Sequence, residues 1–172
     1  MRKHVFLTGM MGSGKTTMGL ELARQLGAAF VDLDEEIVRQ EGVSIPEIFE
    51  KQGEDGFRAC ETRALKAVCQ RKPCVVATGG GTVLRDENVS LMRAVGAIVL
   101  LDRPLEIMIR DVSERGRPNL AGGKEERMRT LYAQREARYR ATCDIAFDNS
   151  GAVFEAARRL IEHPLMHVAL KK

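Results

Sequence analysis

Apolar residues in this chain fall into short unbroken runs, separated by longer stretches where they recur every three or four positions. The runs are Val5-Phe6-Leu7, Ala28-Ala29-Phe30-Val31, Cys74-Val75-Val76-Ala77, Ala97-Ile98-Val99-Leu100-Leu101 and Ile145-Ala146-Phe147. They lack polar alternation, as parallel strands covered on both faces do. Between them the period changes to that of helices. One helix is predicted from Thr17 to Leu26 with Gly27 as its C-cap, and another from Glu35 to about Gln40, broken at Gly42. Ser44-Ile45-Pro46-Glu47 is a capping box with proline in the first turn, opening a helix to about Gln52. A turn over Gly53 to Gly56 comes next, then a helix from Phe57 to about Gln70 whose first turn holds Arg58. Further helices are predicted from Asn88 to Val95, from Asp102 (as its cap) to about Ser113, from Glu125 to about Thr142, and from Ala152 to Glu162. The stretch 114–123 carries Gly116, Pro118, Gly122 and Gly123 without an apolar period and is expected to be a mobile loop; the tail from His163 is expected to fray.

Strands alternating with helices predict an α/β three-layer sandwich on a central parallel sheet of about five strands, in a single domain spanning 1–172. Composition narrows the class. With 172 residues, 44% hydrophobic, 30% charged and a net charge of +3, the chain reads as one globular unit, too mildly basic to point to nucleic acid. Aromatics are only 5% with no Trp, which argues against a base-stacking platform. No run approaches the length of a membrane span, and no signal-peptide pattern opens the chain. Cys60, Cys69, Cys74 and Cys143 form no C-x-x-C pair, so reduced thiols in the cytoplasm are expected.

In an open parallel sheet ligands sit at the carboxyl ends of the strands, so the residues at each strand exit matter. After the first strand comes Gly9-Met10-Met11-Gly12-Ser13-Gly14-Lys15-Thr16, which fits the phosphate-binding pattern G-x-x-x-x-G-K-[ST] and lies between a strand and a helix, as that pattern requires. Glycines let successive N–H groups converge on a polyphosphate, and the helix N-terminus adds its positive dipole end. Gly12, Ser13, Gly14, Lys15, Thr16 and Thr17 are therefore expected to hold a nucleoside triphosphate, with Lys15 on the β and γ phosphates and Thr16 on Mg²⁺. The second strand ends in Asp32-Leu33-Asp34, which extended backbone would place on one side; one carboxylate is available to Mg²⁺, directly or through water, and the other to an acceptor hydroxyl, unless Asp34 merely caps the next helix. The third strand runs into Gly79-Gly80-Gly81, either a tight turn or backbone passing close to a ligand. Arg58 in a first helical turn opposes the dipole, which calls for an anion or Glu61 as partner. Arg117 lies in the glycine-rich loop, either solvated or poised to neutralise transition-state charge. Arg127, Arg129, Arg135, Arg138 and Arg140 share one charged helix, and spacing does not choose among them.

Together these residues resemble the shikimate kinase family from Lys3 to about Ile161. The resemblance rests on G-x-x-G-x-G-K-T at 9–16, D-x-D at 32–34, F-R-x-x-E at 57–61, G-G-G at 79–81, R-P at 117–118 and R-x-x-x-Y at 135–139. It implies a fold like that of the P-loop nucleoside monophosphate kinases and phosphorylation of the 3-hydroxyl of shikimate by ATP with Mg²⁺, on the route to chorismate and the aromatic amino acids. By the same resemblance Thr16 and Asp32 match the metal site, and Asp34 the acid on the acceptor hydroxyls. Arg58, Gly80 and Arg135 match shikimate-binding positions, flanked by Gly79, Gly81 and Glu61. Arg117 matches a lid arginine on the phosphates and Arg110 a position near adenine, while Ile45, Phe49, Phe57 and Pro118 match the ring pocket. The resemblance also implies a substrate-binding helical segment over about 34–61 and a lid over about 114–123. A monomer acting on a small molecule, with no nucleic acid or membrane partner, is expected. The chain departs from the family pattern at Asn119, where leucine commonly follows the proline, and at Ala137-Arg138, where Pro-Leu commonly precedes the tyrosine.

Gluconate kinases and nucleoside monophosphate kinases share the P-loop but not Phe57-Arg58-x-x-Glu61 or the triple glycine. A non-catalytic relative would be betrayed by loss of Lys15, Asp34, Arg58 or Arg135, and all are present. Replacing Lys15 by alanine is expected to abolish ATP turnover while leaving the thermal unfolding midpoint within a few degrees; a fully active variant would remove the P-loop assignment.

Overall fold

The computed structural model describes residues 1, 3–112 and 123–170. Among them, β1 (His4–Thr8), β2 (Phe30–Asp32), β3 (Val75–Ala77), β4 (Gly96–Asp102) and β5 (Ile145–Asp148) form one sheet in the order β2-β3-β1-β4-β5, every pairing parallel. Central β1 is buried at all five positions, which is why its sequence shows no alternation. Edge strand β5 is different: Ile145 and Phe147 are buried while Ala146 and Asp148 are exposed. Successive residues of the inner strands feed opposite cores. Phe6, Val76, Ile98 and Leu100 face one, and Val5, Leu7, Val75, Val99 and Leu101 the other.

The second core is closed by α1 (Lys15–Leu26), α7 (Val153–Ile161) and α8 (Pro164–Leu170), through Met18, Leu22, Ala157, Leu160 and Met166. The first is closed by α2 (Leu33–Glu41), α3 (Ile45–Cys69), α4 (Asp86–Val95), α5 (Leu105–Asp111) and α6 (Lys124–Thr142). The three-layer sandwich expected from the pattern is thus the observed architecture. From β1 the chain moves outward through β2 and back to β3, then crosses to β4 and β5. The order therefore reverses at the carboxyl end of β1, where a crevice must open.

Local signals hold where they are strong. Gly27 caps α1 in the left-handed conformation (φ 59°), and Ser44 and Glu47 form the reciprocal capping box that starts α3. Several expectations are corrected. The turn over 53–56 shrinks to a single non-helical residue, Gly53 (φ 67°, ψ −172°), so α3 runs on and Arg58 lies inside its second segment rather than opening a helix. Asp102 does not cap α5; it ends β4, its carboxylate accepts from Arg140 at 2.8 Å, and the helix begins at Leu105 after Pro104. The tail does not fray at His163, because α8 turns back and buries Met166 completely against the sheet.

That last packing has a measurable weight. Met166→Ala removes a fully buried side chain and is expected to lower the unfolding free energy by about 2–4 kcal/mol in a denaturant titration; no change would mean that α8 is not docked in solution.

Candidate active site

The loop from Gly9 to Gly14 joins β1 to α1 with positive φ at Gly9, Gly12 and Gly14. A side chain at Gly12 would also place its Cβ 2.7 Å from the Met108 carbonyl oxygen, so α5 holds the loop closely. Two side chains brace it from outside: Arg103 donates to the Gly12 carbonyl at 3.1 Å, and Asn149 to the Ser13 carbonyl at 2.7 Å. Inside the loop the Lys15 ammonium donates to the carbonyls of Gly9 and Met10, each at 2.9 Å. Ser13 is wholly buried and does not line the cleft, whereas Gly12, Gly14, Lys15, Thr16 and Thr17 do.

The two aspartates part company at the exit of β2. Asp32 is the N-cap of α2, and its Oδ1 accepts from the backbone N–H of Asp34 at 3.0 Å. Its Oδ2 accepts from the Thr16 hydroxyl, also at 3.0 Å, which joins the second strand exit to the P-loop. Capping therefore falls to Asp32 rather than Asp34, and the pair does not share one side of an extended run: helix begins at Leu33 and carries Asp34 in its first turn. Asp34 Oδ1 lies within 3.2 Å of where a Cβ on Gly79 would stand.

Opposite the P-loop, Arg58 is buried with its guanidinium 2.9 Å from Glu61 and 3.3 Å from Glu54. Burial works against the Arg58 charge, but Glu61 and Glu54 outweigh it and hold the guanidinium above its ordinary pKa. Glu61 is fully inaccessible to solvent, and its other oxygen accepts from the Thr82 hydroxyl at 2.6 Å. The triple glycine wraps this network. A Cβ at Gly81 would lie 2.3 Å from the Arg58 guanidinium, and one at Gly79 2.8 Å from Glu61, so a side chain at either position would displace the Arg58–Glu61 pair. Gly80 is under no such pressure, its hypothetical Cβ being 3.6 Å from the nearest atom.

P-loop, aspartates, glycine turn and Arg58 line one cavity of about 400 Å³, together with Ile45, Phe49, Phe57, Glu61 and Arg135. Phe49 and Phe57 stack with ring centroids 4.7 Å apart, giving it an apolar wall. Of the arginines on α6, Arg135 is the one that lines it, 7% exposed. Arg110 is outside, on the exposed face of α5 and 3.0 Å from Asp111. Arg117 and Pro118, with the expected lid and the departure at Asn119, lie outside the described residues.

The family model for shikimate kinase matches residues 11–164. The chain is 42% identical over 148 residues to a shikimate kinase of Nitrosomonas europaea, covering 85% of this chain and 70% of that one. It is 41% identical over 161 residues to one of Acinetobacter baylyi, covering 92% and 89%. The chain belongs to the shikimate kinase family. A solved shikimate kinase of Acinetobacter baumannii in complex with shikimate superposes with a TM-score of 0.90 at 36% identity, over 99% of this chain and 96% of that one. A gluconokinase of Sinorhizobium meliloti superposes at 0.67 with 19% identity, a likeness of fold alone.

Two residues around this cleft, Arg103 and Asn149, carried no signal that the sequence pattern singled out, and a third, Arg138, stood out only as a departure from the family pattern. Arg103 and Asn149 brace the P-loop from strand exits; Asn149 directly follows β5, so the strand-end rule applied to the last strand would have found it. Arg138 is no surface ornament: it donates to the Val83 carbonyl at 2.7 Å and pairs with Asp86, docking α6 beside the glycine turn. The departure from Pro-Leu thus has a structural use. Because Glu61 compensates a buried Arg58, Glu61→Ala is expected to lower the unfolding free energy by about 3–5 kcal/mol; a loss below 1 kcal/mol by urea titration would mean the pair is hydrated in solution.

Proposed function

We infer that this cleft binds ATP along its P-loop side and shikimate along its Asp34–Arg58–Arg135 side, and transfers the γ-phosphoryl to the 3-hydroxyl to give shikimate 3-phosphate and ADP, toward the aromatic amino acids. The observation that carries this reading is the meeting of two chemistries in one cavity: a phosphate cradle, and an apolar slot edged by an acid and two arginines. Shikimate offers the matching groups, with hydroxyls for the carboxylate, a carboxylate for the arginines and a ring for Phe49 and Phe57. Arg58 and Arg135 come from different helices and grip the acceptor carboxylate by charge-assisted bonds, each worth about 1.5–3 kcal/mol. Gly79, Gly80 and Gly81 let the acceptor approach backbone, and Glu61 keeps Arg58 aimed.

The donors near the P-loop suit Mg²⁺. Thr16 and Asp32 present a hydroxyl and a carboxylate already within 3.0 Å of each other, both hard oxygen ligands. Bound there, Mg²⁺ would neutralise charge on the β and γ phosphates. The chain's own work is positioning. Lys15 and the first N–H groups of α1 hold the phosphates in line with the acceptor. Asp34 holds the 3-hydroxyl and accepts its proton as that oxygen bonds to phosphorus and the bond from phosphorus to the β,γ-bridging oxygen breaks, releasing ADP.

The protein is read as a cytoplasmic monomer acting on a small molecule, with no nucleic acid or membrane partner, and its four free thiols suit a reducing compartment. ADP release with ATP and Mg²⁺, screened against shikimate, gluconate and nucleoside monophosphates, tests the reading: shikimate alone should support it. Two substitutions separate the aspartates. Asp34→Asn is expected to cut turnover by about 10²–10⁴-fold with Mg·ATP binding intact. Asp32→Asn should raise the Mg²⁺ needed for half-maximal rate, with partial rescue by excess metal; rescue of Asp34→Asn instead would reverse the two roles.

A further inference from the structure

Helix α6 meets the glycine turn through neighbouring side chains. Arg138 works at the rim, whereas Tyr139, 2% exposed, reaches under the turn and donates its hydroxyl to the Gly80 carbonyl. The same hydroxyl faces Met10 of the P-loop, with the sulfur 4.0 Å away. Arg135 lies one turn earlier on the same helix face. Burial pushes the Tyr139 phenol up, and Arg135 beside it opposes the push.

A buried tyrosine must find a partner for its hydroxyl, and a core that wanted only volume could use phenylalanine. What the hydroxyl holds is informative. Gly79 and Gly81 are walled in by Glu61 and Arg58, while Gly80, between them, has no side-chain or backbone wall closer than the tyrosine oxygen itself. That position stands in ordinary contact with Gly9 and Met11 of the P-loop, and the tyrosine hydroxyl adds a hydrogen bond to its carbonyl. The Gly80 carbonyl also shares a peptide plane with the Gly81 N–H, so holding the one toward α6 turns the other away from it.

We propose that Tyr139 is a positioning residue for the acceptor: its hydroxyl fixes the Gly80 segment of the turn and registers it against Arg135 on the same helix. The proposal rests on the reading of this cavity as the shikimate site. Its consequence is a bias toward one substrate, since the hydroxyl's hydrogen bond goes to the Gly80 carbonyl and it meets the P-loop only at the Met10 sulfur, 4.0 Å away, while Arg103 and Asn149 brace the cradle's carbonyls.

Tyr139→Phe keeps the ring and removes the bond. With ATP and shikimate varied separately, the shikimate KM is expected to rise by about five- to thirtyfold, the ATP KM staying within about twofold. Titration of shikimate without nucleotide, on protein whose thermal midpoint is measured in parallel, should show the same loss. In an Arg135→Lys background the added effect of Tyr139→Phe should shrink, because both act on one contact. An unchanged shikimate KM, equal rises in both KM values, or full additivity with Arg135→Lys would each overturn the proposal. Failure of the underlying reading looks different: the unaltered protein would then release no ADP in response to shikimate.

Discussion

A guanidinium buried at the back of the cleft sets the terms for much that surrounds it. Taking Arg58 out of water is costly and is repaid only by close partners with good geometry. Glu61 supplies the opposing charge at 2.9 Å, and Thr82 occupies the remaining carboxylate oxygen. The two charges take up the space where side chains at 79 and 81 would otherwise stand, so glycine there leaves the pair undisturbed. Asn88 then donates to the Thr82 carbonyl at 3.0 Å from the start of α4, carrying the arrangement into the next helix. A single requirement, compensation of a buried charge, thus propagates through α3, the glycine turn and α4.

The other half of the cleft obeys a different constraint. A phosphate cradle needs backbone N–H groups turned inward, a conformation that only glycines adopt at several consecutive sites. Glycine permits that shape without enforcing it. Arg103 and Asn149 do the enforcing, by holding outward-facing carbonyls of the loop from the exits of β4 and β5. Asp32 links this half to the acceptor side, because it caps α2 and receives the Thr16 hydroxyl at once. The P-loop, Asp32, Asp34 and the glycine turn thus meet at the same edge of one parallel sheet, with Arg58 and Arg135 brought to it by α3 and α6, and the reversal of strand order at β1 opens the cleft between them.

Local chemistry determined a good part of this from sequence. The buried strands announced themselves as apolar runs, since parallel strands covered on both faces have no polar side to show. Ser44 with Glu47, and Gly27, marked helix ends because capping involves residues only a few positions apart. The P-loop was legible for the same reason, and the spacing of Asp32, Asp34, Arg58, Glu61 and the glycines carried the family. Tertiary contacts decided the rest. The stretch 53–56 closes up to one exposed kink at Gly53 that interrupts α3 without ending it, and α8 forms because Met166 has a core to enter. Asp102 lost its helix to an arginine 38 residues away. Spacing alone did not separate Arg135 from its neighbours on α6, and only the family resemblance singled it out before the fold turned that face of the helix to the cleft; Asn149, Arg103, Arg138 and Tyr139 act on backbone carbonyls far off in sequence. A carbonyl is common to every residue and leaves no mark on the side-chain pattern, so only the folded chain shows which ones are held.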